Sequence, residues 1–289
     1  MEFADVAAAA ARYGVSTMFE ANGRIGLVDL DLIAHLPEAK VAGPARTVFC
    51  GQDDNLMVPA AIAHARPGDI LVMRMPRSRP VSLLGELLAT QCLARGVAGV
   101  LVDAAIRDAV AIRALGLPVW SRYVRARSAT KTHVGELDVP LEFGGTTIAP
   151  GDLIVLDGDG ALAIAADRIA AVVAAASKRD EAEALKRTRF ANGELSYDID
   201  GLRALVEGAG SGTGPAAQTR APGYSFRMHT DDEDERAAAH DEEDADRRSA
   251  VNAADDTGLV RQQERLRVVE VGGPDDEAEA GNGEKGRPA

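Results

Sequence analysis

The sequence predicts an α/β fold in which helices pack against a mixed sheet, and three observations predict it. From Ala45 onward, short β-rich runs alternate with helical patterns, the arrangement that builds a layered sheet-and-helix core. From Val139 the intervening helices drop out and strands follow one another across Gly, Pro and Asp turns, the chemistry of antiparallel hairpins. The chain is 46% hydrophobic but only 4% aromatic, so the core must be made chiefly of Ala, Val, Leu and Ile.

Taken in order, residues 45–50 (ARTVFC) read as a strand and 55–65 as a helix. The Pro67-Gly68 turn introduces a buried strand at 69–73 (DILVM). Residues 82–95 read as a helix, 99–102 (GVLV) as the next strand, 107–115 as a helix and 118–121 as a short strand. Strands follow at 139–143, 146–148, 153–156 and 161–165, separated by Gly144-Gly145, Pro150-Gly151 and the run Asp157-Gly158-Asp159-Gly160. In that last run the two aspartates are expected to shape a hairpin rather than hold calcium, because a calcium loop needs further ligands. An Ala-rich helix is expected over 168–189 and another over 197–207.

The composition changes at residue 209. A Gly/Ser/Thr/Pro linker leads into Asp231-Asp232-Glu233-Asp234-Glu235 and the acidic run at 241–244. Such a segment has too little apolar surface to offset chain entropy. The expected organisation is therefore one folded domain over 1–208 and a disordered acidic tail over 209–289. Gly208, Gly210, Gly212 and Gly214 have the look of a phosphate loop, yet no strand precedes them and no helix follows, so they read as linker.

Charge narrows the function classes. Residues 209–289 hold 19 acidic and 10 basic side chains, so they carry nine of the thirteen excess negative charges and the first 208 residues are nearly balanced. No basic stripe with interleaved aromatics is present, which argues against direct contact with nucleic acid. No apolar stretch approaches a membrane span and no leader pattern opens the chain, so no membrane association and a cytoplasmic location are expected. Cys50 and Cys92 lack metal or redox spacing and read as core thiols. His35, His64 and His133 lie far apart without ligand spacing, His229 and His240 sit in the tail, and Trp120 reads as a packing residue.

Two stretches carry possible chemistry. Gly85-Glu86-Leu87-Leu88 opens a helix, where free backbone N–H groups make a receptor for a carboxylate or phosphate. Arg107-Asp108 follows the next strand, offering a fixed cation for a ketone or enolate oxygen and one oxygen ligand for a divalent metal. On spacing alone, Arg107-Asp108 is a helix-capping aspartate beside a surface arginine.

A wider set of residues changes that reading. Val41-Ala42-Gly43-Pro44-Ala45, Asp54-Asn55, Pro67-Gly68-Asp69, Gly99-Val100-Leu101-Val102-Asp103, Ile106-Arg107-Asp108, Gly116-Leu117-Pro118-Val119 and Phe143-Gly144-Gly145 fall in sequence with Pro150-Gly151-Asp152 and Asp157-Gly158-Asp159-Gly160. In that order, over roughly residues 14–205, the chain resembles the RraA-like family, which includes the 4-hydroxy-4-methyl-2-oxoglutarate and 4-carboxy-4-hydroxy-2-oxoadipate aldolases. The resemblance implies a swivelling-domain-like α/β/α layered sandwich, assembled as a homotrimer or hexamer, and a class II pyruvate aldolase that uses Mg²⁺ or Mn²⁺. It also implies that Gly85, Glu86, Leu87 and Leu88 bind the pyruvyl carboxylate of a small 2-oxo acid, that Arg107 stabilises the enolate oxygen, and that Asp108 anchors the metal, largely through waters. Oxaloacetate decarboxylation passes through the same enolate.

Three positions depart from the family pattern. Ala111 stands where active members carry an acidic side chain after Arg-Asp, Pro59 stands where many have a histidine, and Ala104 replaces a usual glycine, which is expected to narrow the loop leading to Arg107. The enolate-stabilising pair is kept while the proton-transfer groups are reduced. A non-catalytic regulator that binds a protein partner, with the acidic tail contacting a basic surface, is the competing expectation.

Overall fold

The computed structural model describes residues 3–209, and the sequence expectations for the acidic tail, for the glycines at 210, 212 and 214, and for His229 and His240 lie outside the described residues. Helix α1 spans Phe3–Ala21, β1 Ile33–Ala34, β2 Val41–Phe49, α2 Met57–His64, β3 Ile70–Arg74, β4 Ser82–Leu84 and α3 Glu86–Ala94. Then come β5 at Gly99–Ile106, α4 at Ala109–Leu115, β6 at Val119–Val124, β7 at Glu136–Leu137, β8 at Leu141–Phe143 and β9 at Thr146–Ile148. Strands β10 (Leu153–Asp157) and β11 (Gly160–Ile164) precede α5 (Ile169–Ala191), α6 (Ser196–Ile199) and α7 (Leu202–Ala209).

The expected layered α/β architecture with a mixed sheet is what forms. The main sheet runs β1-β6-β5-β3-β2-β10-β11. Strands β2, β3, β5 and β6 are parallel, whereas β10 joins antiparallel to β2 and β11 antiparallel to β10. Pro44 sits where β2 changes partner, pairing with β10 up to that residue and with β3 from Ala45, a place where a missing N–H breaks no ladder.

Side-chain alternation shows how the sheet is used. In β3, Leu71 and Met73 point to α2 and α3, while Ile70 and Val72 meet Ile154 and Leu156 of β10. In β10 the other face, Leu153 and Val155, packs on α1 and α5. One curled, barrel-like sheet therefore folds its two halves toward a shared interior and presents both outer faces to helices. All eight residues of β5 are buried, as a two-sided strand requires.

The expected packing and turn residues behave as their chemistry suggests. Trp120 is buried and its Nε1–H donates to the Asp157 carbonyl at 2.9 Å. Asp157 accepts the Asp159 N–H at 2.8 Å inside the β10–β11 turn and the Val15 N–H at 2.8 Å across the fold. Cys50 and Cys92 are buried, free thiols, and burial pushes both up to about 12.

Four local expectations are corrected. Residues 82–84 are strand, because a Ser-Leu-Leu run pairing with the end of β5 is wholly buried, so the helix expected from 82 starts only at Glu86. Arg107 lies in the bend that follows β5 and does not open the helix, which starts only at Ala109. Ala104 lies fully buried within β5, so it narrows no loop. The helix expected over 197–207 is broken by Gly201 at φ 71° into α6 and α7. Helix α1 has no counterpart in the sequence reading. Gly14 interrupts it at φ 78°, and a Cβ there would stand 2.6 Å from Asp157 Oδ2.

Candidate functional site

The site begins where β4 and β5 leave the sheet side by side. Their pairing ends at Leu84 and Ile106, and the Arg107 N–H still donates to the Leu84 carbonyl at 3.0 Å. Each strand then turns into a helix, so the starts of α3 and α4 converge. Gly85, in extended backbone, caps α3 with no side-chain hydrogen bond of its own. A Cβ at Gly85 would lie 2.9 Å from both Arg107 Nε and Asp108 Oδ2, so only glycine lets those two side chains lie over the turn.

Asp108 takes the left-handed conformation at φ 57°, ψ 35°, which costs a non-glycine residue about 1 kcal/mol and is least unfavourable for Asp and Asn. That bend turns its carboxylate back toward α3. Oδ2 accepts the Glu86 N–H at 3.2 Å and stands 3.6 Å from Arg107 Nε. Both side chains remain nearly half exposed, at 44% and 48% for Arg107 and Asp108, so they are open to a ligand.

A strap following β6 supplies the opposite wall. Ser82 N–H donates to the Arg127 carbonyl at 2.8 Å, and Ser128 Oγ accepts from the Arg107 guanidinium at 2.6 Å. Lys131 Nζ donates to Asn55 Oδ1 at 2.9 Å, and Asn55 Nδ2 donates to the Leu83 carbonyl at 3.0 Å. The strap is pinned by Asp54, whose fully buried Oδ2 accepts from Thr130 Oγ1 at 2.7 Å, Thr132 N at 2.6 Å, Thr132 Oγ1 at 3.2 Å and His133 N at 3.2 Å. Its Oδ1 accepts the Leu56 N–H at 2.8 Å. Burial by itself would raise this carboxyl, but the N–H groups of Thr132, Leu56 and His133 and the Thr130 hydroxyl hold it well below the usual carboxylate range.

These walls enclose a cleft of about 1030 Å³ that brings together Gly85, Glu86, Leu87, Leu88, Arg107 and Asp108. Pro59 and Ala111 line the same cleft. So do Asn55, Ser128 and Lys131, which the sequence reading did not place in a site. Nothing periodic marks residues 125–133; the concentration of Arg, Lys, Ser and Thr there was the available signal. The histidines stand apart. His35 is buried against Ser121 Oγ at 2.8 Å, with its pKa lowered by burial and by Arg113. His64 bonds the Ala60 carbonyl of its own helix, and the exposed His133 ring lies 3.6 Å from Asp54.

Among the described residues no group of three or more His, Cys, Asp or Glu side chains converges to hold a metal by itself. Glu86 and Asp108 both line the cleft, and of the two only Asp108 stands beside a cation among the described residues, where its Oδ1 has no hydrogen-bonding partner. That donor set suits a hard cation that keeps most of its waters, and does not suit zinc. No helix among the described residues is long and apolar enough to cross a membrane.

Residues 4–163 match the RraA-like family, described as Aldolase/RraA. A protein of Halalkalibacterium halodurans bearing the provisional name 4-hydroxy-4-methyl-2-oxoglutarate aldolase is 36% identical over 169 residues, covering 58% of this chain and 78% of its own. Streptomyces coelicolor RraAS2, described as an unusual member of the RNase ES inhibitor RraA protein family, superposes with a TM-score of 0.56 at 28% identity, covering 64% of this chain and 98% of that one. An uncharacterized protein from Pseudomonas syringae pv. tomato gives a TM-score of 0.61 at 23% identity, covering 68% of this chain and 94% of that one, a likeness of fold alone.

Proposed function

We propose, on the premise that this chain belongs to the RraA-like, Aldolase/RraA family, that it is a carbon–carbon lyase releasing pyruvate from a 4-hydroxy-2-oxo di- or tricarboxylic acid. Decarboxylation of oxaloacetate is its second reaction. The observation that carries the reading is the placement of Arg107 and Asp108 directly over Gly85 at the start of α3, where the N-cap residue brings no side chain of its own. The aldolase name of the Halalkalibacterium halodurans relative points the same way.

The chemistry follows from the geometry. The N–H groups of Leu87 and Leu88, in the first turn of α3, receive the substrate carboxylate. The neighbouring 2-oxo oxygen then faces the Arg107 guanidinium, which Ser128 holds in place. As the C3–C4 bond breaks, the 4-hydroxyl gives up its proton and becomes a carbonyl, while the bonding pair moves through C2 onto that oxygen. Arg107 lowers the energy of the resulting enolate where its charge is greatest. Protonation at C3 completes pyruvate. Loss of carbon dioxide from oxaloacetate leaves the same pair on the same oxygen.

Asp108 is the residue that would hold Mg²⁺ or Mn²⁺, and such a cation would supply Lewis-acid assistance at the enolate oxygen. Neither Pro59 nor Ala111 can exchange a proton, so at those two positions of the open cleft only solvent can do so. The lyase is accordingly slow. Its working form is a trimer or a pair of trimers in the cytoplasm, as the family resemblance implies.

Pyruvate release from oxaloacetate and from 4-hydroxy-2-oxo acids, followed by a coupled assay with and without EDTA, tests the reading. Release no faster than with metal salt alone sinks it. The loss of proton-transfer groups at Pro59 and Ala111, with the likeness to RraAS2, favours a second reading as a regulator that binds a protein partner. A partner recovered equally by the full chain and by a truncation after Gly208 would remove the acidic segment from that reading.

A further inference from the structure

We infer that the chain carries a second recognition surface, outside the cleft and built on Arg77, Arg125 and Arg127, and that it takes an acidic segment of a partner protein. The inference stands apart from the lyase reading, because none of these three side chains lines the cleft.

The surface is made by two stretches that meet only in the fold. Residues 74–82 and 121–133 hold seven arginine and lysine side chains and no acidic one, although residues 1–208 as a whole are nearly balanced in charge. Both stretches hang on the end of β5. Ser78 Oγ donates to the Asp103 carbonyl at 3.2 Å and Arg125 N–H to the Ile106 carbonyl at 3.0 Å, while Ser82 N–H ties one stretch to the other at the Arg127 carbonyl. The two attachment points on β5 are about 10 Å of strand apart, so the three guanidinium groups start from neighbouring backbone.

The other cations of the two stretches are engaged. Arg74 bonds the carbonyls of Met75, Pro76 and Glu142, Arg79 stands 3.3 Å from Asp53, Arg122 stands 3.5 Å from Asp103, and Lys131 is on Asn55. Arg77, Arg125 and Arg127 are exposed and form no salt bridge among the described residues; Arg125 reaches only the Val124 carbonyl. The carboxylates that touch the two stretches are taken as well, Asp53 and Asp103 by those arginines and Asp54 by the donors of Thr130 and Thr132. Neighbouring guanidinium groups repel one another, and a carboxylate that accepts two parallel N–H bonds from the fork removes that repulsion.

An acidic peptide fits this surface better than nucleic acid does. Tyr123 is the only Phe, Tyr or Trp in the two stretches, and the Arg122 guanidinium lies over its ring at 5.3 Å, so no bare ring is offered for base stacking. A long polyanion would also meet the net charge of -13 that the chain carries. A run of four or five acidic residues, about 15 Å when extended, meets the arginines alone.

Fluorescence anisotropy of a labelled peptide of about ten Asp and Glu residues, titrated with the full chain at low salt, tests this. The wild-type protein should bind that peptide and not its Asn/Gln counterpart. Combining Arg77→Ser, Arg125→Ser and Arg127→Ser should weaken binding about tenfold, the sum for three exposed ion pairs, and leave the melting temperature unchanged. Combining Arg12→Ser, Arg24→Ser and Lys178→Ser, exposed cations of α1, the turn after it and α5, should change binding less than about twofold. For the wild type, about 0.5 M salt should remove most of the binding. Failure to bind the acidic peptide, equal binding of the neutral one, insensitivity to salt, or equal losses in the two triple variants overturns the inference. So does tighter binding of a single-stranded RNA of the same length, which would make this a nucleic-acid face. Pyruvate release plays no part in any of these outcomes.

Discussion

Asp54 and Asp108 are both aspartates near the start of a helix at the same end of the sheet, and they are used in opposite ways. Asp54 is fully buried and accepts five hydrogen bonds that tie the strap to the start of α2. Asp108 is nearly half exposed, accepts one N–H and sits beside an arginine in a left-handed backbone conformation. A carboxylate whose lone pairs are all engaged holds structure; one kept under-coordinated at some backbone cost is free to meet a ligand. The contrast teaches that charge alone does not mark the site, and that unsatisfied capacity does.

The largest expected effect breaks the structural half of this contrast. Asp54→Ala strands several donors that were bound to a buried charge, so thermal or urea unfolding should show a loss of at least about 3 kcal/mol. Because the folded carboxyl is held low, the unfolded chain takes up a proton first as pH falls below the ordinary carboxylate range. Asp54 therefore contributes stability that is complete above about pH 5 and is lost on acidification, an acid-sensitive component that should be missing from Asp54→Asn. A variant that melts like wild type would show that Asp54 does not secure the strap.

Next in size, Asp108→Asn should leave the melting temperature within about 2 °C, since Asn tolerates the same backbone, while pyruvate release falls on the order of 100-fold. Equal loss of stability in both aspartate variants would erase the distinction between them. Gly85→Ala sharpens it further: the added Cβ must displace Arg107 and Asp108, and activity should drop about tenfold with little change in melting. Unchanged kinetics would mean that the two side chains need not lie over the turn.

The smallest effect concerns the buried His35, remote from this contrast. Its lowered pKa means that the unfolded state protonates first as pH falls through the ordinary histidine range, so the fold loses a little stability there. Parallel pH–stability curves for wild type and His35→Gln between pH 7 and 5 would contradict it.

Much of the fold was legible locally. The β-rich runs at 69–73 and 99–102 and the Gly144-Gly145 turn signal their elements through apolar continuity and turn chemistry, and they form as expected. Helix α1 was hidden because Gly14 breaks its pattern, and the reason for that glycine, Asp157, is 143 positions away. The Ser82-Leu83-Leu84 run has helical neighbours but becomes a strand because β5 runs on past the end of its pairing with β3, leaving Ala105 and Ile106 to take a new partner. The site divided along the same line. Gly85 and Arg107-Asp108 could be singled out by residue type and order, whereas Ser128, Lys131 and Asn55 carry no pattern that distinguishes them from loop residues.

The sequence by itself determined the alternation of strand and helix, the apolar composition of the core and the residue types able to hold an oxyanion, since these depend on local conformational preference and periodicity. Tertiary structure decided that β4 and β5 end together, that a Cβ-free turn lies beneath an arginine and an aspartate, and that a lysine-bearing strap closes the cleft. Those are contacts between segments distant in the chain, and their energies exist only once the sheet has brought the segments within a few ångströms.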